Sequence, residues 1–146
     1  MLRCFKTYKD IPFAHRQPLH EGACSKIHGH NWSITIEFEA KTLDSNGFVV
    51  DFGKLKYLKE FIDKQLDHAC LFAEDDTVIQ ALADSDFSPL FKIVWVKNAS
   101  CEGIALYLYQ QFSKLLVEQE GDRVWIHSLR LDEDDKNGVT YTPHSE

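Results

Sequence analysis

The sequence lacks the features that mark several large classes of protein. It has no Cys-x-x-Cys pair and its four cysteines lie far apart, so reduced thiols are expected rather than a disulfide framework. Its 16 Lys and Arg are outnumbered by 23 Asp and Glu, and the net charge of −7 argues against nucleic acid or an anionic membrane as the main partner. It shows no signal peptide, no apolar run that could span a bilayer and no internal repeat. We therefore expect a cytoplasmic protein.

The composition and length of the sequence predict one globular domain over residues 1–146. Apolar residues make up 44% and charged residues 27%, which is ordinary for a soluble fold, and the length is sufficient to bury one core. Alternating and helical periodicities predict an α+β domain with a largely antiparallel sheet, in the order β-β-α-β-α-β. The predicted strands are residues 2–9, about 30–41, 91–96 and 124–131, with an optional short return at 139–142.

The two predicted helices begin at capping residues and carry apolar stripes. The first follows Asp51 and carries Leu55, Leu58, Ile62 and Leu66 on one face. The second follows Ser100, and its stripe consists of Ile104, Leu108, Phe112 and Leu115. The apolar run 48–50 is a candidate to pair back onto the sheet. The acidic segment 73–90 is poorly patterned, and we expect a loop there with at most one short helix.

The candidate metal ligands are concentrated between His15 and His30, a stretch that holds four of the seven histidines and one cysteine. The residues after it alternate, and this register places His28 and His30 on the apolar side together with Trp32. Buried imidazoles are costly without partners, and a shared metal ion would satisfy them. A pair of surface histidines is the alternative for an isolated His-x-His.

Three imidazoles suit zinc, and three protein ligands with one open position are typical of a catalytic site. His15 is the third candidate ligand, because it stands upstream in a loop that could fold back, and His20 is the alternative to it. Cys24 lies in the same loop, close enough in sequence to bind the same ion or to stand beside it.

The sequence resembles the 6-pyruvoyl-tetrahydropterin synthase family, which includes the bacterial 6-carboxytetrahydropterin synthases of queuosine biosynthesis. The resemblance covers nearly the whole chain, and the Cys-x-x-x-His-Gly-His and Leu-Asp-His blocks together are its specific part. The matching blocks, in chain order, are Phe13-Ala14-His15, Cys24-x-x-x-His28-Gly29-His30, Gly47-Phe48-Val49-Val50-Asp51-Phe52, Leu66-Asp67-His68, Ser100-Cys101-Glu102, and Glu133 eight residues before Tyr141.

This resemblance implies the tunnelling fold, with an antiparallel four-stranded sheet, two helices on one face, and sheets joined between subunits into a β-barrel. It implies a homo-oligomer, most often a hexamer built as a dimer of trimers, with active sites at the subunit interfaces. Open sheet edges make association physically reasonable as well.

The resemblance also implies a zinc-dependent lyase acting on 7,8-dihydroneopterin triphosphate. The expected products are 6-carboxy-5,6,7,8-tetrahydropterin, triphosphate and acetaldehyde, and the alternative is the 6-pyruvoyl product of a biopterin-type pathway. Zinc would be held by His15, His28 and His30 and would act on the side-chain oxygens. Cys24 resembles the proton-abstracting thiolate of the family.

Four further residues take roles from the resemblance. Asp67 and His68 look like the partners of the thiolate in proton transfer, which requires a bent backbone at the helix end. Glu133 would bind the amino-pyrimidine edge of the pterin with its carboxylate. Glu102 is a second candidate for this contact, although the helix dipole alone explains an acid in a first helical turn.

Several positions depart from the family pattern and bear on the substrate rather than on the zinc chemistry. They are Phe72 in place of Asn, Ala99-Ser100 in place of Pro-Thr, Asp134 in place of Thr, and a longer segment 73–90. The cations for the triphosphate stay unranked among Arg16, Lys26 and Lys136. The alternative from a different functional class is a non-catalytic zinc- or pterin-binding protein in which Cys24 is the fourth ligand.

Overall fold

Two long antiparallel strands form the centre of the molecule, and a computed structural model describes residues 1–144. The strands are β1 (Arg3–His15), β2 (His28–Ala40), β3 (Ala69–Ala73), β4 (Ile93–Val96), β5 (Val124–Asp132) and β6 (Gly138–Tyr141). The α-helices are α1 (Lys56–Phe61), α2 (Thr77–Ala83) and α3 (Cys101–Glu120). Residues Ile62–Leu66 continue α1 as a π-helical turn, and short 3-10 turns cover Ala23–Ser25, Phe52–Lys54 and Ser88–Leu90.

The strands form a six-stranded mixed sheet in the order β4-β3-β1-β2-β5-β6. The pairs β1–β2, β2–β5 and β5–β6 are antiparallel, whereas β3 runs parallel to both β1 and β4. The α+β class is confirmed, but the expectation of four antiparallel strands with two helices is wrong. The strand missed is β3, whose five residues form a continuous apolar run. Strands in the buried, parallel part of a sheet have this composition, and periodicity cannot distinguish it from the end of a helix.

A β-bulge in β1 decides which side chains of this strand reach the buried face. The ladder with β2 shifts register between Tyr8 and Ile11, and Asp10 within the shift has a φ of +59°. The extra residue reverses the alternation, so that Tyr8 is buried before the bulge and the odd-numbered residues through His15 are buried after it. His15 is therefore the last residue of a strand and not part of the predicted loop.

The helices cover the apolar face of the sheet. The four predicted core residues of the first helix are all buried, and Asp51 accepts a hydrogen bond from Gly53 N at 2.9 Å. Helix α3 packs on β5 and β6, with Leu116 rather than the predicted Leu115 completing its buried stripe. In the run 48–50, Val49 and Val50 pack into the core without forming a strand, whereas Phe48 is exposed. Within residues 1–144, every helix is too short or too polar to cross a bilayer.

Candidate active site

Three histidines meet where β1 ends and β2 begins. His15 lies directly opposite His28 in the ladder, and His30 follows two residues later on the same face. Their ring centroids are separated by 4.6 Å (His15–His28), 4.9 Å (His28–His30) and 5.3 Å (His15–His30). The structure thus brings together all three histidines that the sequence suggests as metal ligands.

Hydrogen bonds to backbone carbonyls orient two of these rings. His15 Nδ1 donates to Ala99 O at 2.7 Å, and His28 Nδ1 donates to Lys26 O at 2.7 Å. A ring that donates from Nδ1 presents an unprotonated Nε2, which is the form that binds metals. Within residues 1–144, the Nε2 atoms of His15 and His30 are buried and make no well-aligned hydrogen bond, although the Glu133 carboxylate lies close to both. Buried nitrogens of this kind fit a bound cation.

Glu133 completes the cluster. Its Oε1 lies 3.2 Å from His15 Nε2 and 3.2 Å from His30 Nε2, and the ligand atoms of all four residues lie within 4.8 Å of one another. Ligands held about 2.0–2.1 Å from a tetrahedral ion stand roughly 3.3 Å apart. A carboxylate and an unprotonated imidazole nitrogen are both acceptors, so a cation between such groups relieves their repulsion. The site fits a small divalent metal.

An aromatic wall closes the inner side of the cluster. Trp32 stacks on Phe13 with ring centroids 4.3 Å apart, and its Nε1 donates to Phe13 O at 2.9 Å. The edge of this stack touches His15, which has no exposed surface. Burial lowers the pKa of His15, against the opposing effects of the Ala99 carbonyl and the Glu133 carboxylate. The ring therefore stays neutral at neutral pH and remains available as a ligand.

Cys24 lies near the cluster in sequence but outside it in space. It is half-buried in the 3-10 turn Ala23–Ser25, and its carbonyl accepts a hydrogen bond from Gln17 N at 2.8 Å. The metal-ligand group found in residues 1–144 does not include its thiol. His20 is outside the group too. It lies in an exposed loop, where its Nδ1 accepts a hydrogen bond from Gly22 N at 2.9 Å. The geometry thus favours His15 over His20.

Asp67 and His68 form a hydrogen-bonded pair at the end of the π-helical turn. His68 Nδ1 donates to Asp67 Oδ1 at 2.6 Å. Neighbouring residues can meet in this way because His68 has a φ of +62°, a bend that also lets its N–H donate to Pro12 O at 2.8 Å. The side chain of His68 is 83% exposed, and no hydrogen bond joins the pair to Cys24 in the part of the chain described.

Comparison with known proteins identifies the family. A family model described as 6-pyruvoyl tetrahydropterin synthase matches residues 5–144. The chain belongs to this family. It is 32% identical over 134 residues to the 6-carboxy-5,6,7,8-tetrahydropterin synthase of Rickettsia typhi, which covers 90% of this chain and 93% of the relative.

Solved structures show the same fold at lower identity. An uncharacterised protein from Wolinella succinogenes has a TM-score of 0.78 at 21% identity and covers 98% of both chains. The 6-pyruvoyl tetrahydropterin synthase of Caenorhabditis elegans has a TM-score of 0.68 at 18% identity, covering 98% of this chain and 96% of the other. These likenesses support the tunnelling fold and carry no argument about the substrate.

Glu102, the second candidate for the pterin contact, is not one of the four residues of the metal-ligand group. Ser100 caps α3, with its Oγ accepting from Gly103 N at 3.0 Å, and Glu102 is exposed in the first turn. Burial, together with the charges of Glu133 and Glu102, raises the pKa of the neighbouring Cys101 to about 12. Cys101 is therefore a protonated, inert thiol and does not compete with Cys24 as a base.

The segment 73–90, which is longer than the family pattern suggests, is tied to the Cys24 turn through Arg16. The Arg16 guanidinium binds both carboxylate oxygens of Asp76, at 2.7 and 3.1 Å, and Nη1 donates to Ser25 O at 2.9 Å. Asp76 is 4% exposed and caps α2. Because its charge is already neutralised, Arg16 is not a free cation for the triphosphate. Its role is to hold the turn that carries Cys24.

Proposed function

We propose that this protein is a zinc-dependent lyase that converts 7,8-dihydroneopterin triphosphate to 6-carboxy-5,6,7,8-tetrahydropterin in the cytoplasm, as a step in queuosine biosynthesis. The observation that carries the proposal is the cluster of three histidines and Glu133, whose ligand atoms converge and include the buried Nε2 atoms of His15 and His30. The name of the Rickettsia typhi relative supports the 6-carboxy product. The structures named 6-pyruvoyl tetrahydropterin synthase are too distant in sequence to favour the other product.

His15, His28 and His30 would hold the zinc ion, and the bound ion would act as a Lewis acid toward the side-chain oxygens of the substrate. The remaining chemistry belongs to the side chains. Cys24 is proposed to take a proton from the pterin side chain as a thiolate. In the Asp67–His68 pair, the carboxylate holds the Nδ1 proton, so that His68 Nε2 is free to accept and return a proton.

The way these groups are distributed supports a homo-oligomer. Within one chain, His68 projects into solvent and is not bonded to Cys24, although both are proposed to act on one substrate. The sheet also ends in two unpaired edge strands, β4 and β6, which need partners or protection. We propose a hexamer, a dimer of trimers, in which sheets join across subunits and complete each active site.

Product analysis is the direct test of this function. Incubating the zinc-loaded protein with 7,8-dihydroneopterin triphosphate is expected to yield the mass of the 6-carboxy pterin, with acetaldehyde and inorganic triphosphate in equal amounts. The mass of a 6-pyruvoyl pterin without acetaldehyde would establish the alternative product. Binding of substrate or zinc without turnover would instead place the protein in the non-catalytic class.

Glu133 is proposed to bind the pterin rather than to complete the zinc site, since a catalytic zinc ion keeps an open position. Glu133→Gln should retain zinc through the three histidines. Losing a charge-assisted contact costs about 1.5–3 kcal/mol, which corresponds to roughly a 10–100-fold rise in KM. Glu118→Gln, at an exposed glutamate of α3 without a proposed role, is the control and should leave both zinc content and KM nearly unchanged. Loss of zinc from Glu133→Gln would show that Glu133 is a fourth ligand instead.

A further inference from the structure

A second cavity, separate from the histidines, lies between β1 and the start of α1 and has a volume of about 400 Å³. Four lysines line it: Lys6 and Lys9 from β1, and Lys56 and Lys59 from α1. We call it the lysine cavity. In a chain with a net charge of −7, four lysines around one cavity are a local reversal of the overall charge.

Most of this positive charge is not neutralised by the protein itself. Lys59 pairs with Asp63 one turn further along the helix. In residues 1–144, no carboxylate lies within ion-pair distance of Lys6, Lys9 or Lys56. Bringing these ammonium groups to one cavity costs electrostatic free energy, which a bound anion would recover.

Tyr8 forms part of the wall of the lysine cavity. Tyr8 is 8% exposed, and its buried hydroxyl has no hydrogen-bond partner. Burial raises the pKa of Tyr8 to about 12, so the hydroxyl is a neutral donor at physiological pH. Lys6 Nζ lies 5.8 Å from the centre of this ring. The cavity therefore offers the ammonium groups of four lysines to phosphate oxygens, and Tyr8 contributes to the wall beside them.

Lys9 lines both the lysine cavity and a cleft at the candidate active site. The cleft has a volume of about 400 Å³, and its wall contains His30 and Glu133 together with the carboxylates of Asp10, Asp134 and Asp135, so Lys9 is its one cationic lysine within residues 1–144. Lys9 stands in this position because the bulge of β1 displaces it together with Asp10. A substrate with its ring system near Glu133 could therefore extend a phosphate chain past Lys9 into the cavity.

We propose that the lysine cavity binds an oligophosphate, either the triphosphate of the substrate or the inorganic triphosphate released from it. The identification of the anion as the substrate's triphosphate, or as the triphosphate released from it, rests on the proposed function. The prediction that the cavity binds an oligophosphate rests only on the residues that line it. From the sequence, Arg16, Lys26 and Lys136 were unranked candidates for binding the triphosphate. The lysines of the cavity are different residues, and they lie in none of the family blocks quoted above.

Titration calorimetry with inorganic tripolyphosphate tests the binding. The double variant Lys6→Ala/Lys56→Ala of the zinc-loaded protein should bind tripolyphosphate at least about tenfold more weakly than wild type, because two charge-assisted contacts are lost. The control Lys41→Ala/Lys114→Ala removes the same charge from lysines that do not line the cavity. Lys56→Glu is a second, single variant and should weaken binding further than Lys56→Ala. Equal affinity in the cavity variants and the control would overturn the proposal.

Steady-state kinetics separates the two sources of phosphate. If the substrate's triphosphate occupies the cavity, KM of the double variant should rise by the same factor as the dissociation constant of tripolyphosphate. If only the released product occupies it, KM should stay constant while inhibition by added tripolyphosphate weakens. Lysine-dependent tripolyphosphate binding by a protein without turnover would support the cavity and reject the proposed reaction, so the two failures are distinguishable.

Discussion

Replacing His28 with alanine is expected to remove the metal ion and nearly abolish turnover. Only His15 and His30 would then offer nitrogen ligands at the end of the β1–β2 ladder. A Lewis acid contributes several kcal/mol to such a reaction, so the loss of turnover should be on the order of 10³-fold or more. His28 is a better choice than His15, because His15 is completely buried and its removal would also leave a cavity and an unpaired Ala99 carbonyl.

Metal analysis of the purified variant checks this prediction. His20→Ala is the matched control, since His20 is a loop histidine of the same stretch whose Nδ1 accepts a hydrogen bond from Gly22 N and which is not in the metal-ligand group. The control should contain one zinc ion per chain and wild-type activity. Full zinc occupancy in His28→Ala would contradict the assignment of the histidine cluster as the metal site.

The part of the site that could be predicted from sequence is the part that depends on local periodicity. Side chains alternate strictly along β2, so the register of Trp32 determines the side on which His28 and His30 project. The structure agrees, with both imidazoles on the apolar face. The bent backbone required by the Asp67–His68 pair is found as well, in the positive φ of His68.

The position of His15 could not be derived from periodicity, because the bulge at Lys9 and Asp10 interrupts the alternation of β1. A bulge depends on pairing with another strand, and it appears in the sequence only as an imperfect pattern. Read without the bulge, His15 would project from the opposite side to Tyr8, away from the core. The family block that contains His15 identified the residue, although not the strand that positions it.

The placement of Glu133 beside the histidines also depends on contacts between distant parts of the chain. Ser33 pairs with Asp132 in the β2–β5 ladder, so Glu133 follows directly after the last paired residue and lies near the start of β2. A one-residue change in this register would turn its side chain to the other face. Locating Glu133 from the sequence would have required the register of the antiparallel pairing between β5 and β2.

Cys24→Ala is expected to remove the proposed base while leaving the metal site intact. Because the thiol lies outside the ligand group, the variant should retain one zinc ion per chain and the same assembly. Proton transfer by a positioned side chain contributes roughly 10²–10⁴-fold, and turnover should fall by that factor. A joint loss of zinc and thermal stability would instead make Cys24 a structural ligand. Near-normal turnover with zinc retained would reject both roles.

Mixing this variant with His68→Ala tests whether active sites are shared between subunits. Each variant alone should be inactive, because one lacks the base and the other lacks the exposed partner of Asp67. If Cys24 and His68 of different chains form one site, co-expressed chains should assemble about a quarter of their sites with both residues intact, by random assortment around a symmetric ring. If one chain supplied both groups, every site would lack one of them and no activity would return. Recovered turnover in the mixed oligomer, with none in either parent, is the result that the exposure of His68 predicts.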